Sequence, residues 1–134
     1  MTDERFTRGL DRLRQLHGVV GDDFLDDLRA VAPDFARMVV EFPYGDLHSR
    51  PGLPARDRQI AIVSALAAMG NAPKELKIHI RAALNAGVTR EELVEVLMQL
   101  APYAGFPAAL EGLFAAKEVF AAADAAASTV VQED

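Results

Sequence analysis

Proton chemistry near neutral pH falls in this chain to three histidines, because cysteine is absent and with it every thiolate nucleophile, thiol redox couple, disulfide and thiolate metal site. His79 is the candidate for chemistry. It lies three residues after Leu76 and four before Ala83, at the margin of a helical stripe of Leu76, Ile80, Ala83 and Leu84. Lys77, Arg81 and Asn85 take the opposite face. An imidazole at such an edge is partly desolvated, so it can trade protons, or it can be a hydrogen-bonded histidine at a core boundary. A second polar group, Tyr44, Asp46, His48 and Arg50, falls between Tyr44 and Pro54, where two prolines and two glycines argue for a loop with at most one helical turn. There His48 reads as an exposed loop residue. His17, beside a stop at Gly18 where a cationic ring suits a helix C-terminus, reads as structural.

The elements that must position these residues are helices. Pro73 suits a first turn, Gly87 the position after a last one, and Thr89 with Glu92 writes a Thr-x-x-Glu capping box for the next helix. Gly105 and Pro107 repeat the stop and restart. Upstream, Phe6, Leu10, Leu13 and Leu16 mark a surface helix over about 2–17, and a second helix begins near Asp22 or Asp23. Pro33 opens a third with Phe35, Met38, Val39 and Phe42 as a core stripe, ending at Phe42-Pro43. The helix from Ala55 to Met69 is apolar all round and must be buried on every side, as a central helix or against another subunit; Ile78 hints at the same. Leu93, Val96, Leu97 and Leu100 face inward from a helix over Thr89–Ala101. Pro107 starts the last helix, which runs to about Ala125.

A chain of 134 residues fits one domain with one core. The expectation is an all-α single domain of about six helices over 1–134, with its core over about 20–125 and a frayed tail at 126–134. A net charge of −6 argues against a nucleic-acid partner. The start carries no apolar signal core, and the longest apolar run, Ile60 to Gly70, is far short of the roughly 18–20 residues that span a membrane, so a cytoplasmic protein without a membrane partner is expected.

The order of these signals resembles the carboxymuconolactone decarboxylase family. The residues that carry the likeness are Tyr44-Gly45-Asp46, Arg50-Pro51-Gly52-Leu53, Arg56-Asp57-Arg58-Gln59-Ile60, then Glu75-Leu76-Lys77-x-His79-Ile80-x-x-Ala83-Leu84-Asn85-x-Gly87-Val88-Thr89. Glu91-Glu92-x-x-Glu95-Val96 and Tyr103-Ala104-Gly105-x-Pro107-Ala108 complete it, over roughly residues 35–120. The resemblance implies an alkyl hydroperoxidase D-like helical fold. In the thiol peroxidases of that fold two cysteines precede the histidine by seven and four positions; here those positions are Ala72 and Glu75, which excludes the peroxidase branch.

What the resemblance implies is cofactor-free, metal-free loss of CO2 from 4-carboxymuconolactone or a related carboxylated lactone in aromatic compound degradation. Such a reaction needs cations for an anionic small-molecule substrate, a donor at the lactone oxygen and an acid for carbon. His79 is then the acid or the donor, Arg50 and Arg58 the anion clamps, and Arg81 a lesser clamp because it leaves the polar face of its helix. Tyr44 and Gln59 could supply neutral hydrogen bonds. Where relatives commonly carry glutamate this chain has Gln59, which is neither acid nor base; Glu75, one turn before His79, could replace that carboxylate or be a structural pair. The alternatives to a carboxy-lyase are a non-catalytic or ligand-binding oligomeric member of the fold, or an enzyme on a different small ring acid. Relatives assemble as homo-oligomers, commonly hexamers, so self-association is expected.

Overall fold

In the computed structural model the backbone of residues 2–133 and the side chains of residues 4–129 are described. Among these residues there is no strand. Eight α-helical segments follow in order: α1 (Thr2–His17), α2 (Val19–Val31), α3 (Pro33–Val39), α4 (Ala55–Met69), α5 (Pro73–Asn85), α6 (Arg90–Met98), α7 (Ala101–Ala104) and α8 (Phe106–Glu133), with a π-helical segment, Val40–Leu47, between α3 and α4. The chain is all-α, as expected. Six of the α-helices hold nine residues or more. None of the described helices is long and apolar enough to cross a membrane.

The chain divides into two compact units between Arg58 and Gln59, inside α4. Two hydrophobic clusters therefore replace the one core expected. In the first unit Leu13, Leu16, Leu25, Val40 and Tyr44 pack together, which brings α1 into a core expected to begin near residue 20. Backbone meets backbone here. A Cβ on Gly9 would stand 2.1 Å from Val40 O, and one on Gly45 would stand 2.9 Å from Arg5 O, so only glycine lets α1 and the π-helical segment cross so closely.

The expected stop at Phe42-Pro43 does not occur. The helix continues through Pro43 as a wider turn with i→i−5 bonds, His48 N–H donating to Pro43 O at 2.7 Å, a geometry that houses a residue with no N–H of its own. The stretch from Tyr44 to Pro54, expected as a loop with at most one helical turn, has that turn up to Leu47 and is irregular after it. The register of the buried face also differs. Ala36, Val40 and Tyr44 point inward at four-residue spacing, so Phe35, Met38 and Phe42, expected in the core, stand more than half exposed, while Val39 packs against the core's edge. α2 starts at Val19, earlier than the acidic pair Asp22-Asp23 suggested.

In the second unit Val63, Leu76, Ile80, Leu93, Leu97 and Val119 form an aliphatic core. Fully burying each such side chain contributes about 1.5–3 kcal/mol, so Ile80, Leu93 and Leu97 anchor α5 and α6. α4 is not buried on every side: Gln59, Val63 and Ala67 form its buried stripe, and Ala61, Ala65, Ala68 and Met69 are exposed. The capping box is formed, with Glu92 N–H donating to Thr89 Oγ1 and Thr89 N–H to Glu92 Oε1, both at 3.0 Å. α6 ends at Met98 instead of Ala101, and Pro102 sits in the short α7. The frayed tail expected at 126–134 is helix to Glu133, because the alanines flanking Asp124 favour helix and no breaker follows; Asp134 lies outside the described residues.

Candidate functional site

α5 begins at Pro73, whose missing N–H falls among the orphan amides of a first turn, and Leu76, Ile80 and Ala83 fix its inward face. That register leaves His79 partly buried beside the core. Gln59 occupies the first position of the inward stripe of α4, an apolar slot by pattern, and is 0% exposed. Its Oε1 lies 3.0 Å from His79 Nδ1, and its Nε2 has no hydrogen-bond partner. The structure therefore pairs His79 with Gln59 and makes Gln59 a neighbour of the imidazole rather than of solvent.

Burial lowers the His79 pKa below its ordinary 6.5, and the charge of Glu75, one turn earlier and exposed, pulls it partly back. Desolvation is the larger cause. The ring is held neutral in the neutral range, with an amide on one nitrogen, so it is suited to donate or accept a hydrogen bond rather than to carry charge. Arg81 is half-buried on α5, in the same unit as His79. A hollow of about 220 Å³ in this unit lies between the end of α4, the first turn of α5 and α8, lined by Leu66, Pro73, Leu76, Lys77 and Glu118 among others, and another of about 390 Å³ lies between α6 and α8; His79 is in the wall of neither.

The other residues singled out from the sequence belong to the first unit. Tyr44 is buried, its hydroxyl hydrogen-bonded at 2.7 Å to His17 Nε2, and its ring stacks on His48 at 4.9 Å. Burial pushes its pKa up to about 12, so the phenol keeps its proton. His48, expected in an exposed loop, is itself buried because the π-helical segment carries it inward. Arg58 donates from Nε to Leu53 O at 3.1 Å and from Nη2 to Arg50 O at 3.3 Å, bracing the turn before α4. Asp46 is held below the usual carboxylate range by its hydrogen bonds to Arg5. Arg50 is exposed, and its guanidinium makes no hydrogen bond or ion pair with the described residues. It lines an open cleft of about 760 Å³ with Arg8 and Arg12, and with Glu4 and Asp11 of opposite sign. Among the described residues no group of three or more histidines and carboxylates could hold a metal ion.

The carboxymuconolactone decarboxylase family matches residues 33–118, from the start of α3 into α8. The chain belongs to this family. It is 36% identical to the 4-carboxymuconolactone decarboxylase of Acinetobacter baylyi over 122 residues, which cover 90% of each chain. An uncharacterised 15.0 kDa protein of Paracoccus denitrificans is 31% identical over 73% of this chain and 76% of its own. The nitrosuccinic acid decarboxylase of Metarhizium robertsii is 29% identical over 71% of this chain and 68% of its own.

The family match takes in His79, Gln59, Glu75, Arg81, Tyr44, Arg50 and Arg58 but stops short of α1. Arg8 and Arg12 thus lie outside it, and the sequence reading missed them as companions of Arg50. Their i,i+4 spacing on α1 was the available signal. Each is tied to the first unit's backbone, Arg8 Nε donating to Gly45 O at 2.8 Å and Arg12 Nε to His48 O at 3.0 Å.

Proposed function

We propose that this chain is a cofactor-free carboxy-lyase acting on a small carboxylated acid, 4-carboxymuconolactone or a related carboxylated lactone, with His79 as the group that serves the reacting atoms. Two relatives bearing decarboxylase names, one for that lactone and one for nitrosuccinic acid, support the reaction class. The observation that carries the role of His79 is its hydrogen bond, at 3.0 Å, to a glutamine placed in the core with half its amide unsatisfied. A buried polar group left incomplete costs about 1–3 kcal/mol, and such a cost is commonest where a function requires it.

The chemistry asks little of a protein. As the bond to the carboxylate carbon breaks, its electron pair passes through the ring double bond to the lactone oxygen, CO2 leaves, and a proton then reaches a ring carbon. A fixed donor at the lactone oxygen lowers the barrier most, and His79 is the proposed donor or acid. Glu75 tunes the ring through its charge, and Gln59 acts through His79. Arg81, half-buried in the same unit as His79, is the proposed contact for a substrate carboxylate, whereas the Arg58 guanidinium and the Tyr44 hydroxyl are engaged locally.

The direct test follows the ultraviolet absorbance of 4-carboxymuconolactone with and without the protein. Consumption that disappears in His79→Ala supports the reading. Binding of the lactone without consumption would favour the non-catalytic, ligand-binding member of the fold, and neither binding nor consumption would point to an enzyme on a different small ring acid. We further infer a homo-oligomer, supported by Phe106, Leu110 and Phe114, which line one face of α8 and are about half or more exposed. Light scattering showing a monomer at micromolar concentration would overturn this.

A further inference from the structure

The Gln59 amide can face His79 in two ways, and they place the imidazole proton on opposite nitrogens. With Oε1 toward the ring, as at 3.0 Å here, Nδ1 must carry the hydrogen, and both hydrogens of the Gln59 amide nitrogen go without an acceptor in a fully buried place. Amide oxygen and nitrogen are nearly the same size, so turning the group over about its last bond needs no new space. The amide nitrogen then gives one hydrogen to a bare Nδ1, and what is left without a partner is one hydrogen and one carbonyl oxygen in place of two hydrogens. Buried N–H groups without acceptors are rarer than under-satisfied carbonyls, because each N–H has a single bond to make and loses all of it. The reversed amide, with one such N–H instead of two, is the less costly arrangement.

We propose that Gln59 is a positioning residue whose amide nitrogen donates to His79 Nδ1 and so fixes the ring proton on Nε2, making His79 a neutral hydrogen-bond donor. A bare Nδ1 requires an uncharged ring, and the burial that disfavours imidazolium supplies that condition. An ionised glutamate at position 59 could not do this: it only accepts, which would hold the proton on Nδ1 and favour the charged ring. The glutamine therefore changes which atom of His79 bears hydrogen. Joined to the decarboxylase reading, on which this consequence rests, Nε2–H faces the lactone oxygen as it gains charge, His79 keeps its proton throughout, and the hydrogen for the ring carbon comes from water.

Two-bond proton–nitrogen correlation spectra of the uniformly 15N-labelled full chain, with His79 assigned by the signal lost in His79→Gln, read the tautomer directly. The expected pattern above the pH at which the ring titrates is a protonated-type Nε2 and a pyridine-type Nδ1 in the unaltered chain. Gln59→Glu should reverse the pattern, moving the proton to Nδ1, with the His17 and His48 signals unmoved as the sign of an intact fold. A protonated-type Nδ1 in the unaltered chain overturns the proposal, whether or not Gln59→Glu folds. No substrate enters the measurement: a chain that leaves the lactone untouched yet shows Nε2–H keeps this inference and loses the decarboxylase reading, and the converse result does the opposite.

Discussion

In the first unit Arg8 and Arg12 run their Nε–H groups to backbone carbonyls of the π-helical segment and the turn behind it, His17 and Tyr44 hold each other at 2.7 Å, and Arg37 reaches Glu41 one turn away at 2.6 Å. In the second unit the interior is aliphatic, and the one polar side chain among the described residues placed wholly inside it, Gln59, is bonded through its oxygen. Both units bury polar atoms. Where such atoms are paired to backbone and to one another they fix geometry, as Arg8 does for a glycine-to-backbone crossing. Where an amide is only half paired, and its one bond is to a titratable ring, the fold carries a cost that packing does not explain.

If that contrast is correct, the two units should fail differently when altered. The largest effect belongs to the second. His79→Ala should lower turnover by about a hundredfold or more, the usual worth of a positioned donor or acid, with the circular dichroism spectrum of the folded chain retained. Near-normal turnover would remove His79 from the chemistry. In the first unit Gly9→Ala should act on stability alone, by about 3 kcal/mol in denaturant unfolding, because the added Cβ meets Val40 O at 2.1 Å and backbone cannot swing aside as a side chain can. An unchanged midpoint would mean that the crossing of α1 and the π-helical segment is looser than its glycines imply.

Much of this was readable from residue order, and what was not has identifiable causes. Pro73, Gly87 and the Thr89–Glu92 box placed α5 and the start of α6 because caps and stops are local, set by a few adjacent residues. The His79 edge position followed from its own helix. The contact between His79 and Gln59 did not, because Gln59 is 20 residues away on another helix and nothing local to either helix sets its distance from the ring. Pro43 misled for a related reason. Proline breaks an α-helix, but a π-turn accommodates it, and that choice rests on Gly9 and Gly45 letting α1 press against the segment from about 36 residues away in sequence. The outward turn of Phe35, Met38 and Phe42 came from the same source, since Ala36, Val40 and Tyr44 took the inward face once the segment was held there.

Tyr44 gives a sharper test of the comparison, because sequence reading offered it as a substrate contact and the structure engages it with His17. Tyr44→Phe should cost about 1 kcal/mol of stability, the net worth of one hydrogen bond, and leave KM unchanged. A KM raised several-fold at unaltered stability would move Tyr44 into the working site and blur the division between a braced unit and a reactive one.

The smallest expected effect is also the one that isolates His79 without any substrate. Its pKa is lowered in the folded chain, chiefly by burial, so between that depressed value and the ordinary 6.5 the unfolded ring binds a proton that the folded ring refuses. Protons then favour the unfolded state. Stability should be whole above about pH 6.5, decline as pH falls through it, and level off, for this group, below the folded pKa. Other ionisable groups contribute to the same pH dependence. The difference between the unaltered chain and His79→Gln, measured by urea unfolding at stepped pH, cancels those shared contributions. It should change across the acid side of pH 6.5 and be constant above it. A difference that is constant over the whole range would mean that the ring is as well solvated folded as unfolded, and the half-buried imidazole beside Gln59 would lose the property that keeps it neutral.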